Sequence, residues 1–226
     1  KIAFIIIVVK KMENQKVLEN INSIKKKIKK DTRIIAISKR QPLKRIIDAL
    51  DAEHKIFGEN QVQETLKKWP QLKEKYKNIE LHLVGPLQSN KVKDAISIFD
   101  VIQTIDREKI AKALKQEEDN QKKKISYMIQ INTGKESQKS GILPNAADDF
   151  FNFCKNDLKL KIEGLMCIPP YADDPTKHFA YLKKKSLEYK LPYLSMGMSG
   201  DYQKAITFGA THIRVGTRIF GERPKN

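Results

Sequence analysis

The sequence predicts an α/β protein folded as a single (β/α)8 TIM barrel, with an extra N-terminal helix. Three observations lead there. From residue 33 onward, short runs rich in Ile, Val and Leu alternate with longer amphipathic runs, the pattern of βα units around a parallel sheet. There are eight such short runs, joined by brief connections, which is the strand count of a closed barrel. The Gly-rich fingerprint of an open, dinucleotide-binding sheet is missing after the first run, which continues Ser38-Lys39-Arg40-Gln41-Pro42.

The eight candidate strands are Arg33–Ser38, Lys55–Phe57, Glu80–Val84, Val101–Thr104, Ile125–Ile131, Lys161–Ile168, Tyr193–Met196 and His212–Val215. Several are continuously apolar, as strands covered on both faces should be. Between them, Leu43, Ile46, Ile47 and Leu50 mark one helical stripe, and Ile110, Ala113 and Leu114 mark another. Phe150, Phe151 and Phe153 mark a third, on a helix that Pro144 opens. Residues 13–30 form a basic amphipathic helix ahead of the first strand, with Val17, Ile21 and Ile24 on one side.

A chain of 226 residues can bury one full core without disulfides or a structural metal. No apolar run approaches the ~20 residues of a membrane span. Cys154 and Cys167 form no CxxC pair, and no His/Cys cluster has zinc-ligand spacing; both read as packing residues in a reducing, cytoplasmic protein. The net charge of +17 invites a nucleic-acid reading. Only seven of the 44 basic residues are arginine, the usual choice for bidentate phosphate and base contacts. The lysine clusters at 25–27, 122–124 and 183–185 carry no interleaved aromatics, so the charge reads as solvated helix faces with weak, salt-sensitive attraction for polyanions. Residues 1–11, KIAFIIIVVKK, read as an upstream extension, and residues 12–226 as the barrel domain. The protein is expected to be a monomer.

In a barrel of this kind the chemistry sits at the C-terminal ends of the strands. The ends of strands 7 and 8 offer Gly197, Ser199 and Gly200, then Gly216 and Thr217. Glycines allow close backbone approach and the hydroxyls donate, which favours a phosphate site; capping of the next helix is the structural alternative for Ser199. At the end of strand 1, alternation puts Ile35, Ile37 and Lys39 on one face. Facing inward, Lys39 would rise from an apolar floor, where desolvation frees a nucleophilic amine able to form a Schiff base with an aldehyde. A lysine that snorkels to solvent is the alternative. Arg214 shares a face with Gly216, one layer deeper, and a buried guanidinium needs an acceptor. A pyridine nitrogen would serve, with Glu163 as the structural alternative. His54, His82, His178 and His212 are scattered and read as structural rather than catalytic, with His82 near strand 3 the one to watch. Gly134-Lys135 is no P-loop, because Glu136 follows it.

From about Ile34 to Gly221 the chain resembles the pyridoxal phosphate homeostasis proteins, single barrels similar to the N-terminal domain of alanine racemase. The resemblance rests on six ordered motifs: A-I-S-K at 36–39, F-G-E-N-Q-V-Q-E at 57–64, H-L-V-G-P-L-Q-S-N-K at 82–91, Q-K-S-G at 138–141, S-M-G-M-S-G-D at 195–201 and R-V-G-T-R-I-F-G at 214–221. It implies pyridoxal 5′-phosphate (PLP) as the cofactor, with Lys39 as the aldimine-forming lysine. It likewise implies Ser199, Gly216 and Thr217 as phosphate contacts, Arg214 facing the pyridine nitrogen and Asn60 beside the ring. Lys139 matches a lysine of the loop after strand 5 whose role is open.

The resemblance also implies a carrier that buffers PLP and passes it to apo-enzymes, keeping vitamin B6 and amino-acid pools in balance. The competing reading is a PLP-dependent amino-acid racemase. An arginine at the ring nitrogen makes a weak electron sink, although racemases of this barrel type tolerate it. Two-base racemases take a tyrosine from a separate β-domain, which is not expected in a chain ending at Asn226. A PLP-free phosphate-binding enzyme and an RNA-binding module rank below both.

Overall fold

The computed structural model describes residues 15–223; the extension expected at 1–11 lies outside them. Eight parallel strands close into one barrel in sequence order, β1 pairing with β8 through Arg33↔His212 to Ala36↔Val215. The strands are β1 Arg33–Ile37, β2 Ile56–Glu59, β3 Glu80–Leu83, β4 Val101–Ile105, β5 Ser126–Gln130, β6 Ile162–Met166, β7 Tyr193–Ser195 and β8 His212–Val215. All eight expected strands are present, with ends shifted by a residue or two.

The helices lie outside: α1 over 15–25, α2 Leu43–Asp51, α3 Val62–Lys75, α4 Val92–Ile98, α5 Glu108–Gln121, α6 Ala147–Asn152, α7 Pro175–Glu188, α8 Tyr202–Thr207 and α9 Thr217–Phe220. Val17, Ile21 and Ile24 are buried on one side of α1, as its spacing predicts, and Asn20 Nδ2 ties it to the Ile219 carbonyl at 2.9 Å. The helix expected over 13–30 is shorter in its described part, because residues 26–32 turn toward β1. Pro144 opens a 3-10 turn (Pro144–Ala146) rather than the helix itself, since a residue without an N–H fits a first turn; α6 follows at Ala147.

The main apolar core is the layer between sheet and helices. Ile34 and Ala36 of β1, Leu81 and Leu83 of β3, and Ile213 and Val215 of β8 all join it. The alternate residues Ile35 and Ile37 turn inward and form a separate small cluster with Val84. Gly58 belongs to this inner face. A Cβ there would lie 2.6 Å from Ile37 Cδ1, so only glycine lets β1 and β2 keep both isoleucines inside.

Candidate functional site

Lys39 follows β1 directly, above the Ile35–Ile37–Val84 cluster, and is half-buried. Its backbone is clamped on both sides. Ser38 N donates to the Gly58 carbonyl at 3.0 Å, Ser38 Oγ to Glu59 Oε1 at 2.7 Å, and Lys68 Nζ to the Ser38 carbonyl at 2.9 Å. Beyond Lys39, Arg40 takes a left-handed φ of 53° and gives its N–H to Glu64 Oε1 at 2.6 Å. Lys68 pairs with both Glu59 and Glu64, and Trp69 Nε1 donates to Glu59 Oε1 at 3.0 Å. The F-G-E-N-Q-V-Q-E segment thus builds the socket of Lys39. Burial pushes the Glu59 carboxyl up, against the pull of Lys68. The Lys39 ammonium is held below its ordinary range, first by burial and then by the cations Arg223 and Arg40. A lysine so placed exposes more free amine near neutral pH.

At the ends of β7 and β8 two hydroxyls meet, Thr217 Oγ1 lying 3.2 Å from Ser199 Oγ. Ser199 does not cap α8: the residue before that helix is Asp201, whose Oδ1 accepts the Met198 N–H. Gly197 must be glycine, with φ of 91° and a Cβ position 2.6 Å from Ala205 Cβ. Gly200 and Gly216 differ. A Cβ at Gly200 would meet nothing within 4 Å, and one at Gly216 would make only ordinary contact with Ile37. Protein packing leaves room at both. Gly216 also precedes α9, where the Thr217 and Arg218 amides come before the first intrahelical donor, Ile219 N to the Gly216 carbonyl at 2.9 Å.

Arg214 enters the barrel from β8 and is only 4 % exposed. It does not reach Glu163, which pairs instead with Lys161 at 3.2 Å. The two lie at opposite ends of the barrel, Glu163 on a cavity at its floor. Arg214 donates Nη1 to Ser195 Oγ and Nη2 to the Cys167 carbonyl, both at 2.8 Å. It also lines the cavity at the mouth.

One cavity of about 270 Å³ collects all six residues singled out in the sequence: Lys39, Asn60, Ser199, Arg214, Gly216 and Thr217. Ile37, Val84, Ile168 and Met198 supply its apolar wall. Gly200 and Arg223 also line it. Arg223 escaped the sequence reading because it lies past the last motif. Arg45 brings it there by holding the Glu222 carbonyl at 2.7 Å. Lys139 is not on this wall; it pairs with Glu136 and donates to the Pro169 carbonyl at 3.2 Å. A wider cavity of about 660 Å³ opens at the other end of the barrel, between Lys25, Lys29 and the start of β2. It holds none of the six. Among the described residues no helix is long and apolar enough to cross a membrane, and no cluster could hold a metal ion.

Residues 13–224 match the family of the alanine racemase N-terminal domain. A Pasteurella multocida (strain Pm70) protein named pyridoxal phosphate homeostasis protein is 40% identical over 201 residues, 84% of this chain and 86% of its own. Among solved structures, PipY of Synechococcus elongatus PCC7942 with PLP bound is 30% identical at a TM-score of 0.83, covering 91% of this chain and 100% of PipY. Alanine racemase of Clostridium difficile 630 matches at a TM-score of 0.75 with 14% identity, over 94% of this chain and 58% of the racemase; that likeness is one of fold.

Proposed function

The chain belongs to the pyridoxal phosphate homeostasis proteins, within the family of the alanine racemase N-terminal domain, and from that premise we propose that its barrel mouth stores PLP on Lys39 and passes it to apo-enzymes. The observation that carries this reading is the gathering of Lys39, Ser199, Arg214, Gly216 and Thr217 around one cavity. PLP supplies an aldehyde that an amine captures reversibly with loss of water, together with a phosphate and a pyridine nitrogen. Lys39 offers the amine. Ser199 and Thr217 offer hydroxyl donors, and the unfilled space at Gly200 and Gly216 admits phosphate oxygens close to the backbone. Arg223 adds positive charge at the rim. Arg214 would hold the ring nitrogen, donating to it without surrendering a proton. Asn60 would flank the ring.

Storage fits this wall better than turnover. Among the described residues lining the cavity, Lys39 alone carries an amine that can take up and release a proton, held below its ordinary range; the other cations are the guanidiniums of Arg214 and Arg223. Racemisation by two bases needs a second such group on the opposite face. The release of PLP to recipients in the cytoplasm, and through it the balance of vitamin B6 and amino-acid pools, completes the proposal.

The test is absorbance on adding PLP to the purified chain. A visible band should form, and borohydride should bleach it while fixing the added mass on the peptide carrying Lys39. Lys39→Ala should show neither. An equal band in that variant would defeat the assignment, and rapid racemisation of common amino acids would defeat storage as the function.

A further inference from the structure

Among the described residues the buried Arg214 guanidinium forms no ion pair, yet it is the donor end of a hydrogen-bonded chain that crosses the barrel. Ser195 Oγ accepts from Arg214 Nη1 at 2.8 Å and stands 2.6 Å from Gln103 Oε1. Gln103 Nε2 lies 2.7 Å from His82 Nδ1, and His82 Nε2 lies 2.6 Å from Glu80 Oε1. Glu80 Oε2 accepts from Arg33 Nη2 at 2.6 Å. Ser195, Gln103 and His82 are fully buried. The chain passes from β8 through β7, β4 and β3 to β1, and reaches a cavity of about 220 Å³ at the barrel floor, lined by Arg33, Glu80 and His82.

Its direction is forced. Arginine has no acceptor, so Ser195 accepts from it and gives its single proton to Gln103. Gln103 therefore presents its carbonyl to Ser195 and its amide N–H to His82. His82 must then accept at Nδ1 and carry its proton on Nε2, which donates to Glu80. Every bond from Arg214 to Glu80 runs from the mouth to the floor, and Arg33 closes the chain by donating to Glu80 from the other side. A doubly protonated His82 would set an N–H against the Gln103 amide. Gln103 would have to flip, and Ser195 would then face two donors, with its own proton lacking an acceptor.

We propose that Gln103 and His82 are positioning residues for the cofactor, holding Arg214 through Ser195 so that its free N–H meets the ring nitrogen, and that a change of His82 protonation at the floor is transmitted to the mouth by a flip of the Gln103 amide. This rests on the reading that the cavity holds PLP. The groups that face His82 set when the flip occurs: Glu80 beside it on β3, Arg33 on β1, Asp100 ahead of β4 and His212 on β8, with Glu163 of β6 and Tyr193 of β7 on the same floor cavity. Burial holds the imidazolium of His82 below the ordinary histidine range, so the relay is set in one direction at neutral pH.

The experiment compares the wild-type chain, Gln103→Leu and Gln103→Glu, each loaded with PLP. Gln103→Glu, its fully buried carboxyl kept neutral by desolvation, keeps an acceptor for Ser195 and an O–H donor for His82 Nδ1, and should retain wild-type affinity within about threefold. Gln103→Leu removes both links and should weaken PLP about tenfold, the effect of one lost charge-assisted contact. Its bound-PLP spectrum should also shift in band position and in pH dependence. A merely structural glutamine would lower the melting temperature and leave that spectrum alone. A folded Gln103→Leu protein with wild-type affinity and spectrum overturns the inference. Should that variant not fold, the nitrogen chemical shifts of His82 in the wild-type chain decide. A neutral ring protonated on Nε2 at neutral pH supports the relay, and the other tautomer or a cation overturns it. Failure of the wild-type chain to take up PLP would instead remove the premise, which the Lys39 experiment detects separately.

Discussion

Along β8, Ile213 and Val215 turn outward into the apolar layer beneath the helices, whereas His212 and Arg214 turn into the barrel. β3 repeats the contrast, with Leu81 and Leu83 outside and Glu80 and His82 inside. The two faces of the same strands follow different physics. Outside, shape and burial decide, and a similar apolar residue could serve at most positions. Inside, each polar group depends on one partner of the right donor sense, since an unpaired buried polar group costs about 1–3 kcal/mol. The outer face holds the fold together, and the inner face orients the site.

Acid should break both faces at once, the largest effect expected. His54 lies on the outer side, its ring 5.3 Å from that of Phe57, and burial holds it down to about 4. His212 lies inside, held down to about 3 by burial and then by His82 and Arg33. The unfolded chain takes up protons at both positions near pH 6.5, before the folded one does. Stability is therefore full above about pH 6.5 and falls between there and pH 3. At about 1.4 kcal/mol per unit of displacement, the pair removes several kcal/mol. Glu80, whose carboxyl His82 and Arg33 hold down to about 2, adds a further loss below about pH 4.5. Urea unfolding measured from pH 7.5 to pH 4 checks the slope; a flat profile would contradict the burial of these histidines.

Trp69→Ala should break the outer face first, and loosen the Lys39 socket through the lost bond to Glu59. The indole is fully buried, packs on Phe57 at 4.9 Å between ring centres and bonds Glu59. Its loss should cost about 3–5 kcal/mol, read as a lower urea midpoint. The double change Ser199→Ala, Thr217→Ala should spare stability, since Thr217 is exposed and Ser199 half-exposed. It should weaken PLP roughly tenfold or more, with about 0.5–1.5 kcal/mol lost per hydrogen bond. Arg223→Ala should have the smallest effect. Removing that cation lets the Lys39 ammonium rise toward its ordinary 10.5, so the pH midpoint for capturing PLP should move upward. A midpoint that stays or falls would show that burial alone sets the amine.

The outer face was the legible part of the sequence. Runs of Ile, Val and Leu report two-sided cover, and so the eight strands and their order could be read directly. Lys39 and Arg214 were legible by alternation, because period two alone sends Ile35, Ile37 and Lys39 to one side. The partner of Arg214 was not: Ser195 and Cys167 sit on the ends of other strands, and only closure of the barrel brings them within reach. Glu163, the acid offered as its structural alternative, stands at the opposite end. Gln103 carries only a faint local signal, being with Thr104 one of two polar residues in a short buried strand. That same anomaly, a buried amide in V-I-Q-T-I, was the available hint. Arg223 needed the hold of Arg45 on the Glu222 carbonyl, a contact between the two ends of the chain that no motif encodes.

The most direct test of the account is a crystal structure of the chain soaked with PLP. The account places the cofactor in the cavity of Lys39, joined to its Nζ, with the ring nitrogen on Arg214 and the phosphate between Ser199, Gly216 and Thr217. PLP found at the opposite end of the barrel among Lys25, Lys29 and Lys30, or bound at the mouth with its phosphate on Arg214 and its ring turned to solvent, would contradict it.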